Sequence, residues 1–404
     1  MSNTPRTTVH EREPDGTAPA APSGRLPALD GLRGIAALAV VLHHTLLLNP
    51  LWPANLPSGE PVTTTTGWLL DYTPLKLFTA GWEAVMLFFV LSGLVVTLPV
   101  LAKKNFDWVA YYPRRVARLG IPVAGSLVLA YIWVAIIPQV TNQPDGTWFT
   151  NSSTPNLTWQ YFARAVDLFG GDGQINNPVW SLRWEMLFSL ALPVFVILAL
   201  ALRRWWLLAL LLAVGSTWVG LRTGADSFTY LPAFFIGALM ATKLDHVNAF
   251  ADRINARRSR HAIWAGVVLL GAFMLIASWL IGPEFSGSDE LRVGLRALTP
   301  LAGALLVLAA IGWRWLAAVL ASRPIRFIGT ISFSLYLVHV PILIFSVYLF
   351  ISLPLIVGQI VGVVISVIVA VGFWWALEAR SHGWSRSIGI WASALYARSL
   401  DRSR

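Results

Sequence analysis

Long apolar runs alternate along this chain with short basic stretches on one side and longer polar stretches on the other. A membrane-crossing helix needs ~20 predominantly apolar residues. Segments near that length fall at 32–51, 84–102, 119–139, 184–202, 205–221, 230–241, 262–281, 297–313, 331–351 and 354–377. The sixth is short and reads as tilted, extended or partly re-entrant. The pattern predicts an all-α fold, a polytopic membrane bundle of about ten transmembrane helices. Residues 1–28 are polar and Pro-rich, without an apolar h-region and cleavage site, and read as a disordered cytoplasmic leader. Residues 29–378 form the membrane domain, and 379–404 a basic cytoplasmic tail.

Composition agrees, with 56% hydrophobic and 12% charged residues against ~25% charged in a soluble domain. Cysteine is absent, which excludes disulfides and thiolate chemistry. The basic residues set the orientation. Lys76, Arg164, Arg183, Arg222, Arg292 and Arg296 fall on one side, and the other 24 of the 30 Lys and Arg on the opposite side. Basic residues favour cytoplasmic loops, so both termini are expected in the cytoplasm. The net charge of +10 is then topological, and no nucleic acid is needed to explain it. The long loops 52–82 and 140–178 are placed outside. Their Thr, Asn, Gly and aromatic residues, Trp148, Phe149, Trp159, Tyr161 and Phe162 among them, suit a carbohydrate or equally an interfacial aromatic belt.

Ionisable groups within the apolar segments are costly to insert and therefore point to function. Arg33 and His44 lie eleven residues apart, three helical turns plus about 20°. They share one face, ~16 Å apart along the axis. A polar seam between helices is the bland alternative, which a lone His would favour, whereas the Arg–His pair favours function. His43 sits about 100° round from His44 and should meet a neighbouring helix. Ser181 and Glu185 are one turn apart at the start of the fourth segment, expected at its external end. Ser332, Tyr336 and His339 form one stripe in the ninth. Arg115 and Arg118, with Arg114 beside them, would clamp phosphate, unless they serve only as cytoplasmic anchors.

Five runs, in this order, resemble the acyltransferase 3 family of bacterial membrane O-acyltransferases: Leu29 to Leu38 continuing to His44, Phe88 to Gly93, Arg115-Val116-Ala117-Arg118, Trp180 to Glu185, and Ser332 to His339. The resemblance covers about residues 29–378. It implies that Arg33 and His44 form the family's Arg-x10-His motif with a catalytic His, and that Arg115 and Arg118 serve the acyl donor. Glu185 matches the family's Trp-Ser-Leu-x-x-Glu. Where the family often continues with Gln-Phe-Tyr, this chain has Met186-Leu187-Phe188. Some members append an extracytoplasmic hydrolase-like domain; the short tail here implies the membrane domain alone.

Ester formation from a thioester and an alcohol needs a base near neutrality, a role imidazole suits. His44 is assigned as base, with Glu185 or His339 orienting it. Arg33, Arg115 and Arg118 are assigned to acyl-CoA, with acetyl-CoA as the first candidate donor, and Ser181 and Tyr336 to substrate. An acyl-His intermediate is compatible with this set, and no metal is expected, since the histidines lack zinc-site spacing. The acceptor is expected to be a hydroxyl of an extracytoplasmic or membrane-associated glycan, glycolipid or related molecule, and the setting a bacterial inner (plasma) membrane. The competing reading is a transporter or flippase of a lipid-linked glycan. It would commonly show two related halves, which this pattern of polar spans does not.

Overall fold

The computed structural model describes residues 27–49, 64–136, 148–153, 158–170, 173, 175–281 and 289–402. The expected leader lies almost wholly outside the described residues, as do parts of both long loops. Helices follow one another without a strand among the described residues. They are α1 (Pro27–Leu47), α2 (Thr65–Asp71), α3 (Gly81–Ala102), α4 (Trp108–Ile136), α5 (Trp148–Ser153), α6 (Trp159–Val166), α7 (Val179–Leu190), α8 (Leu192–Leu202) and α9 (Trp206–Thr223). The second half holds α10 (Asp226–Thr242), α11 (Leu244–Asn255), α12 (Arg260–Leu280), α13 (Asp289–Arg296), α14 (Thr299–Gly312), α15 (Arg314–Leu320), α16 (Arg323–Leu349), α17 (Leu355–Phe373) and α18 (Ala379–Arg402). A π-helical turn, Trp374–Glu378, joins the last two.

Each of the ten apolar segments coincides with a helix or a helix pair. Seven helical runs among the described residues are long and apolar enough to cross a membrane, or up to eight if α10 and α11, bent by 74°, form one broken span. The difference from ten has physical causes. α8 and α9 are one unbroken helical run through a turn at Arg203–Trp205. α1 is absent from the seven because Asp30, Arg33, His43 and His44 dilute its apolar length. The short sixth segment is extended at its start to Asp226, and its far end turns into α11. The chain is a multi-pass membrane protein. Leu207, Leu211 and Leu212 of α9 and Leu269, Leu270 and Phe273 of α12 stay exposed, as lipid-facing scaffold helices should.

The core that holds the site is the crossing of α1 and α16, with α3, α4, α7 and α17 packed around it. Small residues let membrane helices approach closely. A Cβ on Gly31 would overlap the Leu320 carbonyl, and one on Gly329 the Asp30 carbonyl, so the two backbones touch. From that contact α1 and α16 run side by side in the same direction, carrying Arg33 towards one end of the bundle and His44 and His339 to the same level nearer the other. α7 runs the opposite way, from the histidine level to the arginines.

Candidate functional site

One proline organises the histidine level. Pro341 sits inside α16 and has no N–H, so the Leu337 carbonyl loses its normal helical donor. Asn176 fills the gap: its Nδ2 donates to Leu337 O at 2.7 Å and to Ser126 Oγ at 3.3 Å. That clasp seats the turn before α7 inside the bundle. Beyond it, Asn177 reaches His44 at 3.3 Å and Ser181 meets Tyr336 at 2.6 Å.

His44 Nδ1 lies 2.9 Å from Val40 O and 3.1 Å from His339 Nε2. A carbonyl only accepts, so Nδ1 carries the proton. His339 Nδ1 likewise donates to Leu335 O at 2.9 Å, which leaves its Nε2 as an acceptor facing His44. The pair is therefore a directed chain, with His44 donating from Nδ1 and its own Nε2 bearing a free lone pair. The atom 3.3 Å from Nε2 is Asn177 Oδ1, which can accept only from a protonated Nε2–H; beside a neutral His44 the same amide must present Nδ2 to the lone pair instead. Both rings are buried, His339 fully, and Trp148 lies 5.3 Å from His44 between ring centroids. His43 points elsewhere, donating from Nδ1 to Thr79 O at 3.1 Å over Gly81.

Toward the other end, the same helices enclose a cavity of about 380 Å³. Asp30 and Arg33 of α1, Ser92 of α3, Arg115 and Arg118 of α4, Ser181 and Glu185 of α7 and Ser332 and Tyr336 of α16 line it, with Glu378 and His382 closing one side. Arg115 Nη2 donates to Glu185 Oε1 at 2.6 Å and its Nε to Ser189 Oγ at 2.8 Å. Ser92 Oγ adds a hydrogen bond to the same carboxylate oxygen at 3.0 Å. Arg33 and Arg118 have no hydrogen bond or ion pair among the described residues, and both interact electrostatically with Glu378. Two guanidiniums thus line the cavity with their hydrogen-bond donors uncommitted among the described residues, which equips it for an anion.

The sequence expectations meet this geometry unevenly. Arg33, Arg115, Arg118, Glu185, Ser181 and Tyr336 share the cavity, and His44 and His339 meet beyond it. Glu185 is displaced from its expected external position. Because α7 begins inside the bundle at the Asn176 clasp, Glu185 falls at the arginine level and binds Arg115, so the imidazole's neighbour is His339. Arg115, expected beside Arg118 as a free clamp, is held by Glu185 and Ser189. Three contributors went unnoticed: Asn176, Asn177 and Glu378. Glu378 accepts from the Ser334 N–H at 3.1 Å and from Ser334 Oγ at 2.5 Å. An acidic residue closing an otherwise apolar span was the available signal for it, and a mid-helix proline paired with a remote Asn the signal for the clasp.

Residues 26–378 match the family model described as an acyltransferase domain. The chain belongs to this acyltransferase family. It is 25% identical over 345 residues to YrhL of Bacillus subtilis, covering 80% of this chain and 49% of that protein. To the peptidoglycan O-acetyltransferase OatA of Listeria monocytogenes it is 24% identical over 343 residues, 79% of this chain and 49% of that one. To the acyltransferase MdmB of Streptomyces mycarofaciens it is 24% identical over 331 residues, 78% of each. The chain thus spans about half the length of the first two. No solved structure matches it. Membership of an enzyme family displaces the transporter reading.

Proposed function

We propose that the protein is an O-acyltransferase that takes an acyl group, acetyl in the first instance, from acyl-CoA at the arginine cavity and passes it to a carbohydrate hydroxyl arriving from the histidine side. The observation that carries this is the alignment, along α1 and α16, of an anion-ready cavity with a directed His44–His339 pair. Arg33 and Arg118 hold CoA phosphates, and the pair Arg115–Glu185 fixes the cavity wall. The long, thin pantetheine arm of the donor lies along α1, toward His44. His44 Nε2 then takes the acceptor's proton while the oxygen attacks the thioester carbonyl, and the CoA thiolate leaves. His339 Nε2 accepts from His44 Nδ1–H throughout and steadies the imidazolium, the role a carboxylate fills in serine hydrolases.

The preponderance of basic residues at the arginine end supports a cytoplasmic placement of that end and of both termini, in a bacterial inner membrane. The acceptor would then lie outside or within the outer leaflet. The name of the Listeria relative, a peptidoglycan O-acetyltransferase, favours a cell-wall glycan among such acceptors. The test is direct. Purified protein in lipid nanodiscs should release CoA from acetyl-CoA only when a hydroxylated glycan is added, and the product should carry a new ester by mass spectrometry. Acetyl-CoA left intact with every glycan class offered would refute the proposal.

A further inference from the structure

The cavity lining ends at Ser181 and Tyr336, and neither His44 nor His339 belongs to it. Tyr336 reaches from that lining to the histidines. The Tyr336 ring lies 6.0 Å from the His339 ring on one side and 6.1 Å, edge-on, from Phe88 on the other. Its hydroxyl is tied across to α7. Ser181 gives its single proton to Pro178 O at 3.0 Å, so Tyr336 is the donor in the 2.6 Å bond to Ser181 Oγ. Both residues are buried.

We infer that the Tyr336–Ser181 hydrogen bond is the latch of an internal gate, which keeps the donor thioester from His44 until α7 and α16 part and which limits the acyl group that can pass. The inference rests on the acyltransferase reading above. Three features support it. The latch joins two helices through one neutral hydrogen bond, whose loss shifts an equilibrium by only about tenfold, so it can open on a thermal timescale. It lies where the cavity lining meets the histidine pair, since Tyr336 both lines the cavity and borders the His339 ring. And α7 is anchored immediately upstream by the Asn176 clasp, which supplies a fixed hinge about which Ser181 can swing.

The absence of cysteine from the chain permits a test that does not depend on catalysis. His44→Cys places a lone thiol behind the gate. In vesicles of one orientation, a membrane-impermeant methanethiosulfonate is added to the face on which the arginine cavity opens. Labelling should be slow with the latch intact and rise about tenfold when Ser181→Ala or Tyr336→Phe is added, the population shift one lost hydrogen bond allows. Tyr336→Phe keeps the ring, and so guards against a packing defect in the other variant. Equal labelling rates with and without the latch overturn the gate.

Activity provides the second arm, with His44 restored. Opening the latch should raise acceptor-independent hydrolysis, in which water adds to the thioester carbonyl, the C–S bond breaks, and a carboxylic acid and the CoA thiol are released. It should also raise the use of butyryl-CoA relative to acetyl-CoA. Faster labelling in latch variants of a protein that consumes no acyl-CoA would uphold the gate and overturn the acyltransferase reading. Normal transfer by the wild type, with labelling and acyl preference unmoved by both variants, would do the reverse.

Discussion

Replacing His339 by Ala isolates the contribution of the second imidazole. In the structure His44 Nδ1–H has two acceptors, His339 Nε2 at 3.1 Å and Val40 O at 2.9 Å. The backbone carbonyl survives the substitution, so the tautomer that leaves Nε2 free is kept. What is lost is one hydrogen bond to a group that becomes cationic in the transition state. Hydrogen bonds to charged groups are worth ~1.5–3 kcal/mol, and each ~1.4 kcal/mol is tenfold in rate. Because Val40 still shares the proton, the lower end applies, and kcat should fall roughly ten- to thirtyfold. The KM for acyl-CoA should not move, since the arginines are remote. His339→Gln, whose Oε1 can accept the same proton, should recover part of the rate. Steady-state CoA release measured across donor concentrations separates the two constants. An unchanged kcat in His339→Ala, or a loss confined to KM, would refute the assignment of His339 as the partner of His44.

Other substitutions probe the remaining parts. Arg118→Ala and Arg33→Ala remove guanidiniums that no hydrogen bond or ion pair holds among the described residues, and should raise the KM for acyl-CoA about ten- to a hundredfold each, read by the same assay. Arg115→Met should behave differently, lowering the thermal midpoint by stranding Glu185; the double variant Arg115→Met with Glu185→Met should recover some of that loss, whereas a fully additive loss would argue against a coupled pair. Pro341→Ala restores an N–H that competes with Asn176 for Leu337 O, so transfer should drop while the thermal midpoint holds or rises. Wild-type transfer in that variant would show that the clasp does not set the position of Asn177 and Ser181.

Much of this centre was legible before any coordinates. Arg33 and His44 sit on one face of α1 because a helix returns to the same bearing after eleven residues, and the Ser332–Tyr336–His339 stripe follows from the same arithmetic on α16. The bearing of His43, a third of a turn away, was equally readable, and it meets the Thr79–Gly81 segment as a neighbouring element. What periodicity does not convey is depth. Periodicity puts Glu185 at the external end only on the premise that an apolar segment starts at the membrane surface. The turn at Asn176–Pro178 begins α7 inside the bundle, a position its polar groups tolerate only because Asn176 finds Leu337 O and Ser126. Pairing across helices is also invisible locally, so the partners of Arg115 and Glu378 came only with the fold. The count of spans suffered from the same feature that marks function, since the polar residues of α1 are what make it poor in apolar length.

The proposed mechanism depends on His44 acting as the base. The most direct measurement is the rate of glycan-dependent CoA release by His44→Ala beside His43→Ala, with both proteins shown to be folded and to bind acyl-CoA as the wild type does. General base catalysis contributes typically ~10²–10⁴-fold, so His44→Ala should lose at least that lower factor with donor binding retained, while His43→Ala keeps most of its rate. Substantial transfer by His44→Ala, or a greater loss in His43→Ala, would contradict the account.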